Sequence, residues 1–126
     1  MIPKFRFYSK RMNKIGIVIS LHPLRKRVYV EWDDALSGTE DIDDNGVLMQ
    51  STGLFDKNGK EIFEGDIVRF HTPQLTTIGV VEFDKNEACF KVRNDFGGHY
   101  VTMFHTRYFE VMGNIYENPE LVEGLK

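Results

Sequence analysis

The residues best suited to chemistry in this sequence form the acidic stretch Asp41-Ile42-Asp43-Asp44-Asn45-Gly46. Asp41, Asp43 and Asn45 place oxygen donors at the first, third and fifth positions, and glycine follows at the sixth, as in the first half of an EF-hand calcium loop. The twelfth position is Thr52, where that loop needs a bidentate Glu, and no helical pattern flanks the stretch. We therefore expect a solvated acidic loop that can face the basic N-terminal part, rather than a metal site.

Zinc or nucleophilic chemistry would need histidines and thiols at close spacing. The histidines are His22, His71, His99 and His105, and Cys89 is the single cysteine. No pair has the spacing of a common zinc site, and one cysteine cannot form a thiolate cluster. Cys89 and His99 would form a nucleophile and its base only if two strands brought them together. A cysteine that opens a strand is more typical of a small core residue, so we expect no cofactor here.

Three carboxylates on predicted strands, Asp66, Glu82 and Asp84, would form an acid–base pair if adjacent strands placed them in a cleft. Asp66 follows Gly65 at the start of a strand, where a carboxylate usually accepts bonds from nearby backbone N–H groups. We therefore expect no enzyme activity.

The charge of the chain is lopsided. Residues 1–30 hold eight Lys or Arg and no acidic residue, whereas the remainder holds eight basic and nineteen acidic residues. Such a split is typical of a nucleic-acid-binding arm, or of two parts of one molecule, or two subunits, that attract each other. We favour attraction between protein parts, because a net charge of −3 opposes binding to a phosphate backbone. The candidate contacts to a partner protein or nucleic acid are Lys10, Arg11, Arg25, Lys26 and Arg27.

The composition predicts one domain, residues 1–126. This length is enough to bury a core. No apolar run approaches the length of a membrane span, and the N-terminus lacks a signal-peptide pattern. The single cysteine excludes an internal disulfide and fits a reducing compartment. We therefore expect a cytoplasmic protein without membrane contact.

Short segments of alternating polarity predict β structure almost throughout. In the N-terminal β part, about residues 1–46, three strands are predicted over 4–8, 15–19 and 28–32. The stretch from Ala35 to Asn45 is rich in Ser, Gly, Thr and Asp, and it predicts an exposed loop or boundary.

The C-terminal part, about residues 47–122, is predicted to be a small curled barrel or sandwich. Asn58 and Gly59 tolerate positive φ and predict a tight turn, and Gly65 and Asp66 predict a second reversal. Further strands are predicted over 67–70, 78–83, 89–92, 100–104 and 109–116.

Three segments of this C-terminal part, TGLFDKNGKEIFEGDIVRF, IGVVEFD and FEVMGNIYENPEL, resemble the YopX protein family of bacteriophages and prophages. The opening KFRFYSK, followed by Met12, is also similar to that family's N-terminal strand. The resemblance implies a mostly β protein from a phage or prophage genome that acts in the bacterial host cytoplasm, and it implies no activity, cofactor or catalytic residue. Separately, Gly65-Asp66-Ile67-Val68 entering a strand resembles SH3-like barrels, which is a likeness of fold alone.

We therefore expect a mainly β protein with an N-terminal hairpin or three-stranded part and a C-terminal SH3-like barrel. The expected function is that of a non-enzymatic accessory protein that binds a host or phage protein, or copies of itself as a homo-oligomer. The alternative is a weak nucleic-acid-binding module that uses the five basic residues named above. A third hypothesis is a metal-dependent hydrolase or nuclease built on Asp66 and Glu82.

Overall fold

The computed structural model divides the chain into two compact units, Met1–Ser51 and Thr52–Lys126. The structure describes residues 4–33, 36–71, 76–94, 100–102 and 108–123. Each unit contains its own cluster of buried apolar side chains, so each has a separate hydrophobic core.

The N-terminal unit is built from an antiparallel sheet. Its strands are β1 (Phe5–Ser9), β2 (Lys14–His22), β3 (Arg27–Glu31), β4 (Ser37–Asp41) and β5 (Gly46–Phe55). A short 3₁₀ turn, Pro23–Arg25, joins β2 to β3. The strands lie in the order β4-β3-β2-β1-β5, and β5 continues past Ser51 into the C-terminal unit.

This sheet is strongly curled. Three strands separate β4 from β5 in the sheet, yet only residues 42–45 connect them along the chain. In a flat sheet these two strands would be about 19 Å apart. The Asn45 N–H donates to the Asp41 carbonyl over 3.0 Å, so the end of β4 lies beside the start of β5. The sheet must therefore bend around its core.

The core of the N-terminal unit lies on the inner face of the curled sheet. It consists of Phe7, Val28, Val30 and Trp32, with partly buried apolar side chains packed against them. Because side chains alternate along a strand, β3 sends Val28 and Val30 inward and Tyr29 outward.

The C-terminal unit contains the remaining strands. These are β6 (Glu61–Phe63), β7 (Asp66–His71), β8 (Thr76–Asp84), β9 (Cys89–Asn94), β10 (Tyr100–Thr102) and β11 (Glu110–Asn114), followed by a 3₁₀ turn at Pro119–Val122. Five of them form an antiparallel sheet in the order β10-β9-β8-β7-β11, and β6 is the sheet neighbour of β5. The core of this unit comprises Ile62, Val68, Phe70, Val81, Val92 and Phe109.

The prediction of a mainly β protein is confirmed, and the three predicted N-terminal strands correspond to β1, β2 and β3, but the N-terminal unit has two strands more than predicted. The stretch predicted as a loop, Ala35 to Asn45, contains β4, and β5 follows it at Gly46. Its polar composition concealed β4 because this strand lies at the edge of the sheet and pairs with β3 alone among the described strands. The described strands form two antiparallel sheets without a closed barrel, and the SH3-like detail stays a prediction.

Both predicted reversals are turns in the structure. Gly59 has φ +80° and Gly65 has φ +87°, a region that side chains rarely adopt. Asn58 does not share the positive φ that the sequence suggested for it, because the chain needs only Gly59 to leave the Asp56–Gly59 turn. Among the described residues, no helix is long and apolar enough to cross a membrane.

Candidate functional site

The acidic stretch that resembles half a calcium loop is a tight turn between β4 and β5. The Asp43 N–H donates to the Gly46 carbonyl over 3.0 Å, and Asp43 takes a positive φ of 74°. One carboxylate oxygen of Asp41 accepts a bond from Arg27 Nε over 2.8 Å, so it already has a cationic partner. Within the described ranges, no group of three or more acidic, His or Cys side chains is arranged to hold a metal ion.

Basic segments flank this acidic turn on both sides. The Lys10 N–H donates to the Asn45 carbonyl, and the Ile42 N–H donates to the Lys26 carbonyl, each over 2.8 Å. Arg11 forms an ion pair with Glu40 over 2.6 Å. Together with the pair between Arg27 and Asp41, these contacts place the lopsided charges of the sequence against each other within one unit. The acidic loop does face the basic N-terminal part.

The Arg11–Glu40 pair is unusual because its acidic member is buried. The Glu40 side chain is 0% exposed, whereas Arg11 is 63% exposed. Glu40 pairs in register with Val28 and therefore shares the inner face of the sheet with the core. We predicted Arg11 from the sequence as a contact to a partner. In the structure, Arg11 is also the cation that pairs with the buried carboxylate of Glu40 within this unit.

The hairpin of β2 and β3 exposes four large apolar side chains. Ile17, Ile19 and Tyr29 are 65%, 56% and 38% exposed, and Leu24, in the 3₁₀ turn, is 101% exposed. Ile17 pairs with Glu31 while Ser20 pairs with Tyr29, so Ile17 and Tyr29 are diagonal neighbours on the outer face. The register shifts between Val18 and Ser20, and Ile19 is the extra residue of that bulge. We call Ile17, Ile19, Leu24 and Tyr29 the hairpin surface.

A shallow depression lies at the tip of the same hairpin. It is lined by His22, Arg25, Arg27 and Thr39, and we call it the basic depression. His22 pairs in register with Arg27, and its Nε2 lies 3.4 Å from Ser20 Oγ. Among the described residues, Arg25 has no ion-pair partner. The depression therefore offers cationic groups beside an apolar surface.

A second depression, which shares Arg25 and Arg27 with the first, has mixed charge. Arg25, Lys26, Arg27, Asp41, Ile42, Asp43 and Asp44 line it. Of the basic residues that the sequence singled out, the structure brings Arg25, Lys26 and Arg27 together here, and places Lys10 and Arg11 in the turn between β1 and β2. The acidic turn lies between the two groups, so the five residues do not form one continuous basic stripe.

Comparison with known proteins identifies the family. A family model described as YopX protein matches residues 4–123. The chain belongs to the YopX protein family. Among solved structures, a similar one is the crystal structure of protein EF1440 from Enterococcus faecalis, with 26% sequence identity and a TM-score of 0.64. The match covers 97% of this chain and 99% of that one. A search of curated proteins found no match.

In the first segment that resembles the YopX family, the Asp56 side chain holds a turn and contacts β11. One oxygen of its carboxylate accepts the N–H groups of Asn58 and Lys60, and the other accepts the N–H of Val111 in β11. Burial tends to raise the pKa of Asp56, but the hydrogen bonds from Val111, Lys60 and Asn58 outweigh it and lower the pKa. The sequence predicts the turn that Asp56 begins, but we did not single out its carboxylate, although Asp at the first position of a turn is a known signal.

In the third YopX-like segment, the residues GNIYENP form a turn held by their own side chains. The Asn114 side chain accepts the N–H groups of Tyr116 and Glu117, and Asn118 Oδ1 accepts the N–H of Asn114. A Cβ on Gly113 would overlap the Asn118 side chain, so glycine is needed at this position.

The carboxylates considered for hydrolysis are engaged separately. Asp66 is 1% exposed and accepts the N–H of Phe63 over 2.8 Å, as expected for a carboxylate at the start of a strand. Glu82 pairs with Arg93 over 2.6 Å, and Asp84 pairs with Lys91 over 3.2 Å. The bond from Lys91 is the largest cause that lowers the pKa of Asp84.

The cysteine and the described histidines of this YopX family member belong to no group of side chains that could hold a metal ion within the described part of the chain. Cys89 is half-buried at the start of β9, opposite Asp84. His71 is exposed, and its Nδ1 lies 2.8 Å from Thr76 Oγ1. His99 and His105 lie outside the described residues, so the pairing of Cys89 with His99 stays a prediction.

Proposed function

We propose that this YopX family protein is a non-enzymatic phage or prophage accessory protein that binds another protein in the bacterial cytoplasm through the hairpin surface. One observation carries the proposal: four large apolar side chains of one hairpin are exposed to solvent. Single exposed apolar residues are common on proteins, whereas a cluster of them is typical of an interaction site. Leu24 supports this because it lies in a three-residue turn and is fully exposed, so core packing does not account for a leucine there.

The ion pairs favour a different protein over a second copy as the partner. The sequence suggested self-association because its basic N-terminal part could bind an acidic surface. Arg11 and Arg27 already bind Glu40 and Asp41 of the same unit. The charge asymmetry therefore needs no second copy to balance it.

The same contacts weigh against nucleic acid. A phosphate backbone that contacted Lys26 or Lys10 would also pass the acidic turn, where Asp43 and Asp44 are exposed. Like-charge repulsion there would reduce the binding that basic residues provide.

The proposal that there is no enzyme activity rests on Asp66, Glu82 and Asp84, each of which is bound to its own neighbour rather than paired with another carboxylate in a cleft. We also keep the SH3-like likeness of the C-terminal unit as a proposal. It is supported by the strand order: four strands, β7 to β10, follow one another in the sheet, and β11 returns to pair with β7.

The test is a pull-down with the tagged full chain from lysate of a phage-bearing bacterial host, with and without nuclease. The first variant is Ile17→Ser/Leu24→Ser. Its control is Leu54→Ser/Phe55→Ser, which removes two apolar side chains, 38% and 51% exposed, from the C-terminal unit.

We expect the parent chain to recover a partner protein whether or not nuclease is added. The Ile17→Ser/Leu24→Ser variant should no longer recover this protein, whereas the control variant should. Recovery that depends on intact nucleic acid would support the alternative function, that of a weak nucleic-acid-binding module. Recovery that is equal for both variants would contradict the hairpin surface as the binding site.

A further inference from the structure

We propose that the partner presents an acidic segment to the hairpin, with a carboxylate in the basic depression and apolar side chains over Ile17, Ile19 and Tyr29. This inference rests on the proposed function and specifies the chemistry of the partner. It follows from the position of the basic depression relative to the hairpin surface, and from which of its charges are already neutralised.

The basic depression and the apolar residues share one face of the sheet. Arg27 and Tyr29 are two residues apart in β3, so their side chains point to the same side. His22 pairs with Arg27 and Thr39 pairs with Tyr29, which extends that face across β2 and β4. Two residues along a strand span about 7 Å, so a single extended segment of a few residues would reach both.

The cations of the depression have unused hydrogen-bond donors. Arg27 uses its Nε to bind Asp41, which leaves the outer N–H groups of the guanidinium available. Among the residues that the structure describes, no acidic residue lines the basic depression, and Arg25 has no ion-pair partner. Two guanidinium groups in one depression match the planar, two-oxygen geometry of a carboxylate.

The apolar residues favour a protein segment over a single-stranded nucleic acid. Nucleic-acid surfaces rely on aromatic side chains that stack on successive bases. Tyr29 is the one aromatic residue of the hairpin surface, and its neighbours Ile17 and Ile19 are aliphatic. The mixed-charge depression contains Asp41, Asp43 and Asp44, which would repel a continuous phosphate backbone but not a single carboxylate.

A random peptide library, displayed and selected on the immobilised full chain, tests this chemistry without a known partner. We expect selected peptides to combine Asp or Glu with Leu, Ile, Val or Phe. The variant Arg25→Glu should lower the affinity of a selected peptide by about tenfold or more. Lys85→Glu, which reverses an exposed charge in the turn after β8, is the matched control and should leave the affinity unchanged.

The outcomes separate this inference from the proposed function. Apolar peptides without acidic residues that still need Ile17 and Leu24 would overturn the acidic chemistry and leave protein binding in place. Failure to select any peptide that distinguishes the parent from Ile17→Ser/Leu24→Ser would overturn both. Tighter binding of a 20-nucleotide oligothymidine than of any selected peptide would also overturn the inference, in favour of nucleic acid.

Discussion

At the scale of single residues, Arg11 and Arg27 form ion pairs that the sequence cannot distinguish. Both arginines belong to the basic N-terminal part, and both bind a carboxylate of β4. The Arg27–Asp41 pair is exposed on both sides, at 53% and 42%, whereas the Glu40 side chain is entirely buried. Burial removes the water that would otherwise solvate Glu40, so its cation matters more.

We predict that Arg11→Ala lowers the free energy of unfolding by about 2–3 kcal/mol, less than for a fully buried pair because Arg11 is itself largely exposed. Arg27→Ala should cost less than about 1 kcal/mol, as is usual for exposed pairs. Urea unfolding followed by Trp32 fluorescence measures both. Adding Glu40→Gln to Arg11→Ala should recover part of the loss, and no recovery would show that the uncompensated carboxylate is not the cause.

Asp56 gives a prediction about pH. Its pKa in the folded protein lies below the ordinary value of 3.8, because its backbone hydrogen bonds outweigh the effect of burial. Folding therefore favours the charged form. Its contribution to stability is complete at pH values above the unfolded pKa and is lost as the pH falls through the folded pKa.

We expect Asp56→Asn to lower the free energy of unfolding by about 2 kcal/mol at pH 7, as for hydrogen bonds to a charged group. The difference between parent and variant should shrink as the pH is lowered from 5 to about 2.5. Urea titrations at several pH values measure this. A difference that stays constant with pH would show that the charge of Asp56 is not what stabilises the turn. Asp43→Asn, in an exposed turn, is the matched control.

At the scale of elements, the sequence predicts where strands lie better than which strands pair. The alternation in Phe5–Ser9 and the apolar run after Lys14 locate β1 and β2, because their side chains face a core and solvent in turn. The pairing of β1 with β5 depends on residues about forty positions apart, and no local pattern reports it. The edge strand β4 was not predicted, because a polar strand with one buried side chain lacks the alternation of apolar and polar residues that indicates a strand.

Because local patterns do not report strand pairing, the sequence predicted only part of the candidate site. Arg25 and Arg27 stood out as charges, whereas Ile17 and Ile19 were assigned to a strand whose apolar residues suggest burial. Only the sheet order and the bulge in β2 place Ile17 and Ile19 on the exposed face. Leu24 carried a signal that could have been used, since it lies between a proline and three basic residues.

Two glycines separate the effect of backbone conformation from that of packing. Gly59 has φ +80° and open space around its missing Cβ, so Gly59→Ala should cost about 1 kcal/mol through backbone strain alone. A Cβ on Gly79, in the middle of β8, would overlap Val92 and lie 2.9 Å from the Arg93 carbonyl oxygen. We expect Gly79→Ala to cost more, about 2–3 kcal/mol. Thermal and urea unfolding compare them, and a larger loss at Gly59 would contradict this account.

At the scale of the whole molecule, the two units have separate cores but share β5. Trp32 and Phe7 belong to the core of the N-terminal unit, and Val68 and Phe109 to that of the C-terminal unit. Regions with separate cores commonly open as separate cooperative units, each with its own free energy of opening. A change confined to one core should therefore be felt mainly within that unit.

Hydrogen-exchange mass spectrometry tests this division. We expect Arg11→Ala to speed amide exchange in β3, Arg27–Glu31, by about tenfold or more, and to leave β11, Glu110–Asn114, nearly unchanged. Asp56→Asn should speed amide exchange in β11 and leave β3 nearly unchanged. The reason is that the Asp56 carboxylate accepts the N–H groups of Asn58, in the turn after β5, and of Val111, in β11. The middle of β5 should respond to both variants, since this strand crosses the boundary at Ser51. Equal acceleration of both regions by either variant would show that the chain opens as one unit, with β5 coupling the two cores.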